Sequence, residues 1–205
     1  HSCYNLDYRA GILDLAQIKR GLQYGRPRFL IYIFLQKREY IEVQKLTQKY
    51  TVVHLLDDLP DGFEYSMKDW PLHITLADVF AIEGSPENLL KSLDTALSSF
   101  SSIKTKIVGE DCFGDDKSVH VKLIEKTDDL IILHDTIIDE LKKLNAMFNN
   151  PQYTGAGFKP HATVKSNDNL IDRDAIIIGS ITLIDMFPDN DPNNRRVMST
   201  IYFKN

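Results

Sequence analysis

Apolar and polar residues alternate along several short stretches of this chain, and each alternation predicts a strand with one greasy face. Leu72, Ile74 and Leu76 alternate with His73 and Thr75, while Ala162 and Val164 alternate with His161, Thr163 and Lys165. Residues i and i+2 of a strand share a face, so each stretch sets an imidazole beside a hydroxyl, opposite its apolar side. Strand patterns also predict "RFLIYIFL" from Arg28, "TVVHLL" from Thr51, Ile103 to Val108, Val119 to Ile124, "AIIIGSITLID" from Ala175 and "RRVMSTIYF" from Arg195.

Helical spacing appears elsewhere. Leu15, Ile18 and Leu22 predict an amphipathic helix from Ile12 to Leu22, ended by Gly25 and Pro27, and residues 36–50 read as a polar helix. Ser85-Pro86-Glu87 is a helix-start signal for the stretch to Phe100, with Leu89, Leu90, Leu93 and Leu97 on one face. Leu130, Leu133, Ile137, Leu141 and Leu144 predict a long helix from Asp128 to Phe148. The turn-rich "DDLPDG", Gly114 to Asp116, "NNPQYTGAGF" and "FPDNDPNN" separate these elements. Strands and helices in this order predict an α+β fold with mostly antiparallel pairing.

His-x-Thr occurs three times, and backbone phase separates the copies. His134 and Thr136 fall in the long helix, where residues two apart diverge by about 200°, so His134 is expected on the helix surface, away from any site. His54 is expected in a structural role and His120 on a strand surface. The copies at His73/Thr75 and His161/Thr163 remain as candidate chemistry.

Composition is ordinary, with 43% hydrophobic and 26% charged residues. The net charge of −5 argues against a protein that grips long nucleic acid by neutralising phosphates. Residues 1–50 carry nine Lys/Arg against four Asp/Glu, a local +5 that leaves −10 for the remainder. Lys19, Arg20, Arg26 and Arg28 read as a solvated helix face, with contact to an RNA end as the alternative. The longest apolar runs are far short of a membrane span, and no signal-peptide pattern is visible. Cys3 and Cys112 show neither metal-ligand spacing nor a disulfide framework. A cytoplasmic protein without membrane association is expected.

"LHITL" and "PHATV" resemble the paired signature of the two-histidine phosphoesterases, which include bacterial 2′-5′ RNA ligase-like proteins and 2′,3′-cyclic phosphodiesterases. The resemblance runs from about Arg28 to Phe203, which makes residues 1–27 an N-terminal helical extension and residues 28–205 the phosphoesterase domain. It implies a bilobed α+β fold, with two pseudo-symmetric lobes of mostly antiparallel sheet and packed helices around a central groove. It also implies a metal-independent phosphodiesterase with no cofactor, acting on an RNA end or a small nucleotide. The reaction would open 2′,3′-cyclic phosphates or cleave 2′-5′ linkages. His73, Thr75, His161 and Thr163 would be catalytic, with His73 as acid and His161 as base. The extension before Arg28 and the small Ala162 depart from the family pattern.

The chemistry supports this pairing on its own terms. Opening a cyclic phosphate needs one group to take a proton and another to give one, and histidine does either near neutrality. Each threonine is placed to donate to a phosphate oxygen whose charge grows in the transition state. Lys165, on the same predicted face, would neutralise the phosphate, and Tyr153, in the loop before the second motif, would stack on a base. Two other readings use the same residues: a 3′-5′ exoribonuclease leaving a cyclic phosphate, and a non-catalytic RNA- or nucleotide-binding module. A metal site on His73 and His161 lacks Cys, Asp or Glu at recognisable spacing.

Overall fold

Eleven strands and two α-helices organise the described residues of this computed structural model, which are 48–114, 116–165 and 175–204. The strands are β1 (Tyr50–Leu55), β2 (Glu64–Ser66), β3 (His73–Ala81), β4 (Ile103–Thr105), β5 (Ile107–Phe113) and β6 (Val119–Ile124). They continue with β7 (Met147–Phe148), β8 (His161–Thr163), β9 (Ile176–Ile178), β10 (Ser180–Asp185) and β11 (Asn194–Tyr202). The helix expected at Ile12 to Leu22, the "RFLIYIFL" strand and nearly all of the polar helix expected at 36–50 lie outside the described residues.

One antiparallel sheet runs in the order β2-β11-β10-β1-β3-β8-β6-β5, with β7 also pairing β3. The two halves therefore meet where β3 lies beside β8, at the single register pair Ile74↔Ala162. β4 and β9 form a separate antiparallel pair. Two strands expected to be continuous are thus divided: Ile103 to Val108 breaks at Lys106, and Ala175 to Asp185 breaks at Gly179. Alternation alone does not reveal such a change of partner.

The helices cover one face. α1 (Pro86–Leu97) starts where Ser85 Oγ accepts from the Asn88 N–H, and it buries Leu89, Leu93 and Leu97. α2 (Asp128–Lys143) starts where Thr127 accepts from the Leu130 N–H, with acids in its first turn and lysines in its last, as the helix dipole favours. Ser92 donates to Glu140 across the two helices at 2.7 Å. Their apolar stripes join Ile74, Leu76, Phe80 and Ala162 of the sheet in the main core. A smaller core of Val53, Leu55, Tyr65, Ile184, Met186 and Val197 packs with Trp70 and Val79.

The second helix stops before the expected Phe148. Asn145 takes a left-handed conformation at φ 53°, its N–H donates to Lys142 O, and Ala146 N–H donates to Leu141 O. This is a Schellman ending with asparagine in the usual glycine place. The freed residues Met147 and Phe148 pair instead with Ala81 and Phe80.

His134 departs from expectation more sharply. It is on the helix, but it is 1% exposed rather than on the surface. Counting from Leu130 and forward to Ile137 and Leu141, position 134 falls inside the buried stripe. Its Nδ1–H donates to Leu76 O at 2.7 Å and its Nε2 accepts from the Gly155 N–H at 2.9 Å. The ring lies flat on Phe158, with centroids 3.9 Å apart. Along this edge β3 pairs with β8 at Ile74 and with β7 only from Phe80, and His134 supplies a partner for a carbonyl in the gap. It also pins the loop that follows β7.

Both ring nitrogens are committed to a neutral imidazole. Burial holds His134 below the ordinary histidine value of 6.5, outweighing the Leu76 carbonyl and Asp135, with Lys126 and Lys142 adding to the lowering. His54 and His73 are lowered chiefly by burial as well. The unfolded chain therefore takes up protons first, so this stability is complete above about pH 6.5 and is lost as pH falls below it towards the folded values. Urea midpoints are expected to decline over that window, ahead of carboxylate titration. His134→Ala is expected to cost about 2 kcal/mol or more, because it strands a buried carbonyl and an N–H, and to shallow the decline. A midpoint that stays flat from about pH 7 to about pH 5 would show that the native rings accept protons freely.

Candidate active site

The pairing at Ile74 and Ala162 decides where the two motifs stand. Both residues are 0% exposed and point into the main core. Their neighbours in sequence therefore point to the opposite face. In an antiparallel register Ile74↔Ala162 sets position 73 across from 163 and position 75 across from 161. His73, Thr75, His161 and Thr163, all half-buried, then form a four-cornered group with each histidine across from the other strand's threonine. The two histidines occupy one diagonal, a backbone separation of about 7–8 Å for such a pair.

Each imidazole is oriented by its own chain. His73 Nδ1–H donates to Pro71 O at 2.7 Å, and His161 Nδ1–H donates to Lys159 O at 2.8 Å. The partner in both cases is the carbonyl two residues earlier, and a carbonyl only accepts. The same tautomer is thereby selected twice, which leaves Nε2 of each ring directed away from the backbone to take or give the exchangeable proton. Among the described residues neither Thr75 nor Thr163 has a hydrogen bond to its hydroxyl.

An aromatic ring supports each imidazole. Trp70 packs on His73 at a tilt of 33°, and Phe113 meets His161 edge-on at 63°, both with centroids 4.7 Å apart. Trp70 packs against the smaller core, so His73 is backed by apolar packing. Burial pulls its imidazole below the ordinary value of 6.5; the Pro71 carbonyl opposes this, and positive charge at His161 and Lys165 adds to it. Lys165 Nζ donates to the carbonyls of Lys68 and Trp70, each at 3.2 Å. The ammonium is thus placed beside His73, against the segment that leads into β3.

A groove of about 560 Å³ opens from this group along the unpaired edge of β3. Thr75, His161 and Phe113 line it, as do Asp78, Gln152 and Tyr153. His73 and Thr163, the pair at the other end of the four-cornered group, do not line it. Tyr153 is 56% exposed, in a single 3-10 turn at Pro151–Tyr153. The loop behind it depends on two glycines. Gly155 has φ +55°, and a Cβ on Gly157 would lie 1.8 Å from Gln152 O.

Trp70, Phe113, Asp78 and His134 are neighbours of the site that sequence pattern did not select. Trp70 directly precedes "PLHITL", which was a usable signal. The position of Phe113 depends on β5 pairing β6 and β6 pairing β8, and nothing local announces that. Among the described residues no three His, Cys, Asp or Glu side chains converge to hold a metal ion, and no helix is long and apolar enough to cross a membrane.

No curated protein matches the chain at a significant level. Solved structures do resemble it. A crystal structure described as a phosphoesterase shares 13% identity over 77% of this chain and 99% of its own, with a TM-score of 0.47. Escherichia coli LigT complexed with 3′-AMP shares 12% identity over 77% and 99%, with a TM-score of 0.48. Kluyveromyces marxianus Usb1 shares 9% identity over 82% and 92%, with a TM-score of 0.39. The family model of the 2′-5′ RNA ligase superfamily matches residues 41–180, both motifs included. That match covers most of the chain, and the chain belongs to this superfamily of two-histidine phosphoesterases.

Proposed function

We propose that the protein is a phosphodiesterase acting on an RNA end or a small nucleotide, opening 2′,3′-cyclic phosphates or cleaving 2′-5′ linkages. The observation that carries this reading is the four-cornered group, with two imidazoles of one tautomer on a diagonal. A phosphate between them has a proton acceptor on one side of phosphorus and a proton donor on the other, as in-line displacement requires. Thr75 and Thr163 donate to the non-bridging oxygens, and Lys165 offsets their charge. No step calls on a metal-bound water.

The lowered pKa of His73 suits the base, because its resting form is neutral. His161 then serves as the acid, which reverses the roles that family resemblance implied. In hydrolysis His73 Nε2 takes a proton from water as the water oxygen bonds to phosphorus. His161 Nε2–H protonates the ribose oxygen as its bond to phosphorus breaks. A second proton exchange with solvent restores both rings.

His73→Ala and His161→Ala are each expected to lower turnover of a 2′,3′-cyclic nucleotide by about 10²-fold or more, and the threonine variants by less. Retention of turnover in either histidine variant would end the proposal. The kcat/KM profile is expected to be a bell around neutrality, unchanged in EDTA. Its acid limb is expected below about pH 6.5, since the base is lowered in the free protein, although the limbs belong to the coupled pair. Removing the cation in Lys165→Met is expected to move that limb to higher pH. A rate that climbs steadily into the alkaline range would point to hydroxide attack and away from the histidine pair.

A further inference from the structure

The groove contains a polar feature that the phosphate chemistry leaves unused. Asp78 lines it three residues along β3 from Thr75, a distance of about 10 Å and so on the scale of one nucleoside. In a regular strand these two positions face opposite ways. The pairing of β1 with β3 runs Val53↔Thr75, Val52↔Ala77 and Tyr50↔Phe80, with register shifts between them. Extra residues in β3 at these shifts re-aim its side chains, and both Thr75 and Asp78 reach the same groove.

Facing Asp78 is a short relay from the loop after β7. Gln152 Nε2 donates to Asn150 Oδ1 at 3.4 Å, and Asn150 Nδ2 donates to Asp78 Oδ2 at 2.7 Å. The relay fixes the Asn150 amide and occupies one lone pair of the Asp78 carboxylate. The remaining capacity of that carboxylate is acceptor-only. Tyr153 stands beside it with its ring half exposed.

Taking the phosphate to sit at the histidine pair as proposed above, we infer that this part of the groove is a guanine subsite, in which Tyr153 stacks on the base and Asp78 accepts from its N1–H and exocyclic amine. Guanine alone among the four bases offers two adjacent N–H donors on its Watson–Crick edge. Adenine and cytosine set a ring-nitrogen lone pair beside their single amine. Uracil flanks one N–H with two carbonyls. Each of these three brings a lone pair against the carboxylate.

Calorimetric binding of the four nucleoside 3′-monophosphates to the whole chain tests this without requiring turnover. Guanylate is expected to bind about 10- to 100-fold more tightly than the others, the range of a good bidentate base contact. Asp78→Asn presents one donor and one acceptor, which complement the edges of the other bases as well, and it is expected to abolish the preference for guanylate. Tyr153→Ala is expected to weaken all four together. Equal binding of the four bases, preference for another base, or an Asp78→Asn variant that weakens all four alike would overturn the inference. If the variant does not fold, the wild-type ranking still decides. Hydrolysis of the four 2′,3′-cyclic nucleotides is scored separately. Guanylate preference without hydrolysis supports the subsite and removes the phosphodiesterase reading, whereas hydrolysis without base preference does the reverse.

Discussion

One backbone pairing, Ile74 with Ala162, holds the site together. It is the single register pair between β3 and β8, and it lies at the centre of the four motif side chains. Both residues are anchored by the main core, so the register is fixed by apolar burial on the face opposite the chemistry. A slip of one residue would turn the histidines into the core and the isoleucine out to solvent. The precision of the four-cornered group therefore originates in the helix-covered side of the sheet. Leu89, Leu93, Leu130 and Ile137, none of which lines the groove, determine where His73 and His161 stand.

The brevity of that pairing matters as much as its existence. Because β3 leaves β8 after one pair and does not meet β7 until Phe80, the sheet has an internal opening. Backbone groups along an opening must find other partners. His134, Asn149 and Asn150 supply contacts there, to Leu76 O, Val79 O and the Asp78 carboxylate. The groove wall is thus built from side chains and loop where a strand would otherwise continue. Burial lowers the pKa of His73 and of His134 near this opening, which links the acid sensitivity expected of the fold to the proposed site.

Much of this was legible in the amino-acid order. Strict alternation marked the two motif strands, and capping residues at Ser85 and Thr127 marked the helices. The choice between the three His-x-Thr copies followed from phase. At His134 itself phase gives the opposite of the surface position expected: its threonine diverges from it, but the histidine belongs to the buried stripe. The turn at Asn145 carries no strong local signal, because glycine is the usual residue at such a helix ending and asparagine the rarer one. Strand division at Lys106 and Gly179, and the contact of Phe113 with His161, depend on which strands become neighbours. No local pattern contains that information.

The crosswise arrangement of the motifs has one more consequence. A group in which each histidine faces the other strand's threonine is nearly unchanged by a half-turn about the Ile74–Ala162 pair. Such a group is blind to polarity: a phosphodiester laid across it one way meets the same four side chains as one laid across it the other way. Direction must then come from what is not repeated. Trp70 tilts over one histidine while Phe113 meets the other edge-on, and the groove opens on the His161 side alone. On the proposed reading, the choice of departing oxygen is therefore set by the flanks, with the duplicated motif supplying the chemistry and the asymmetric surroundings its direction.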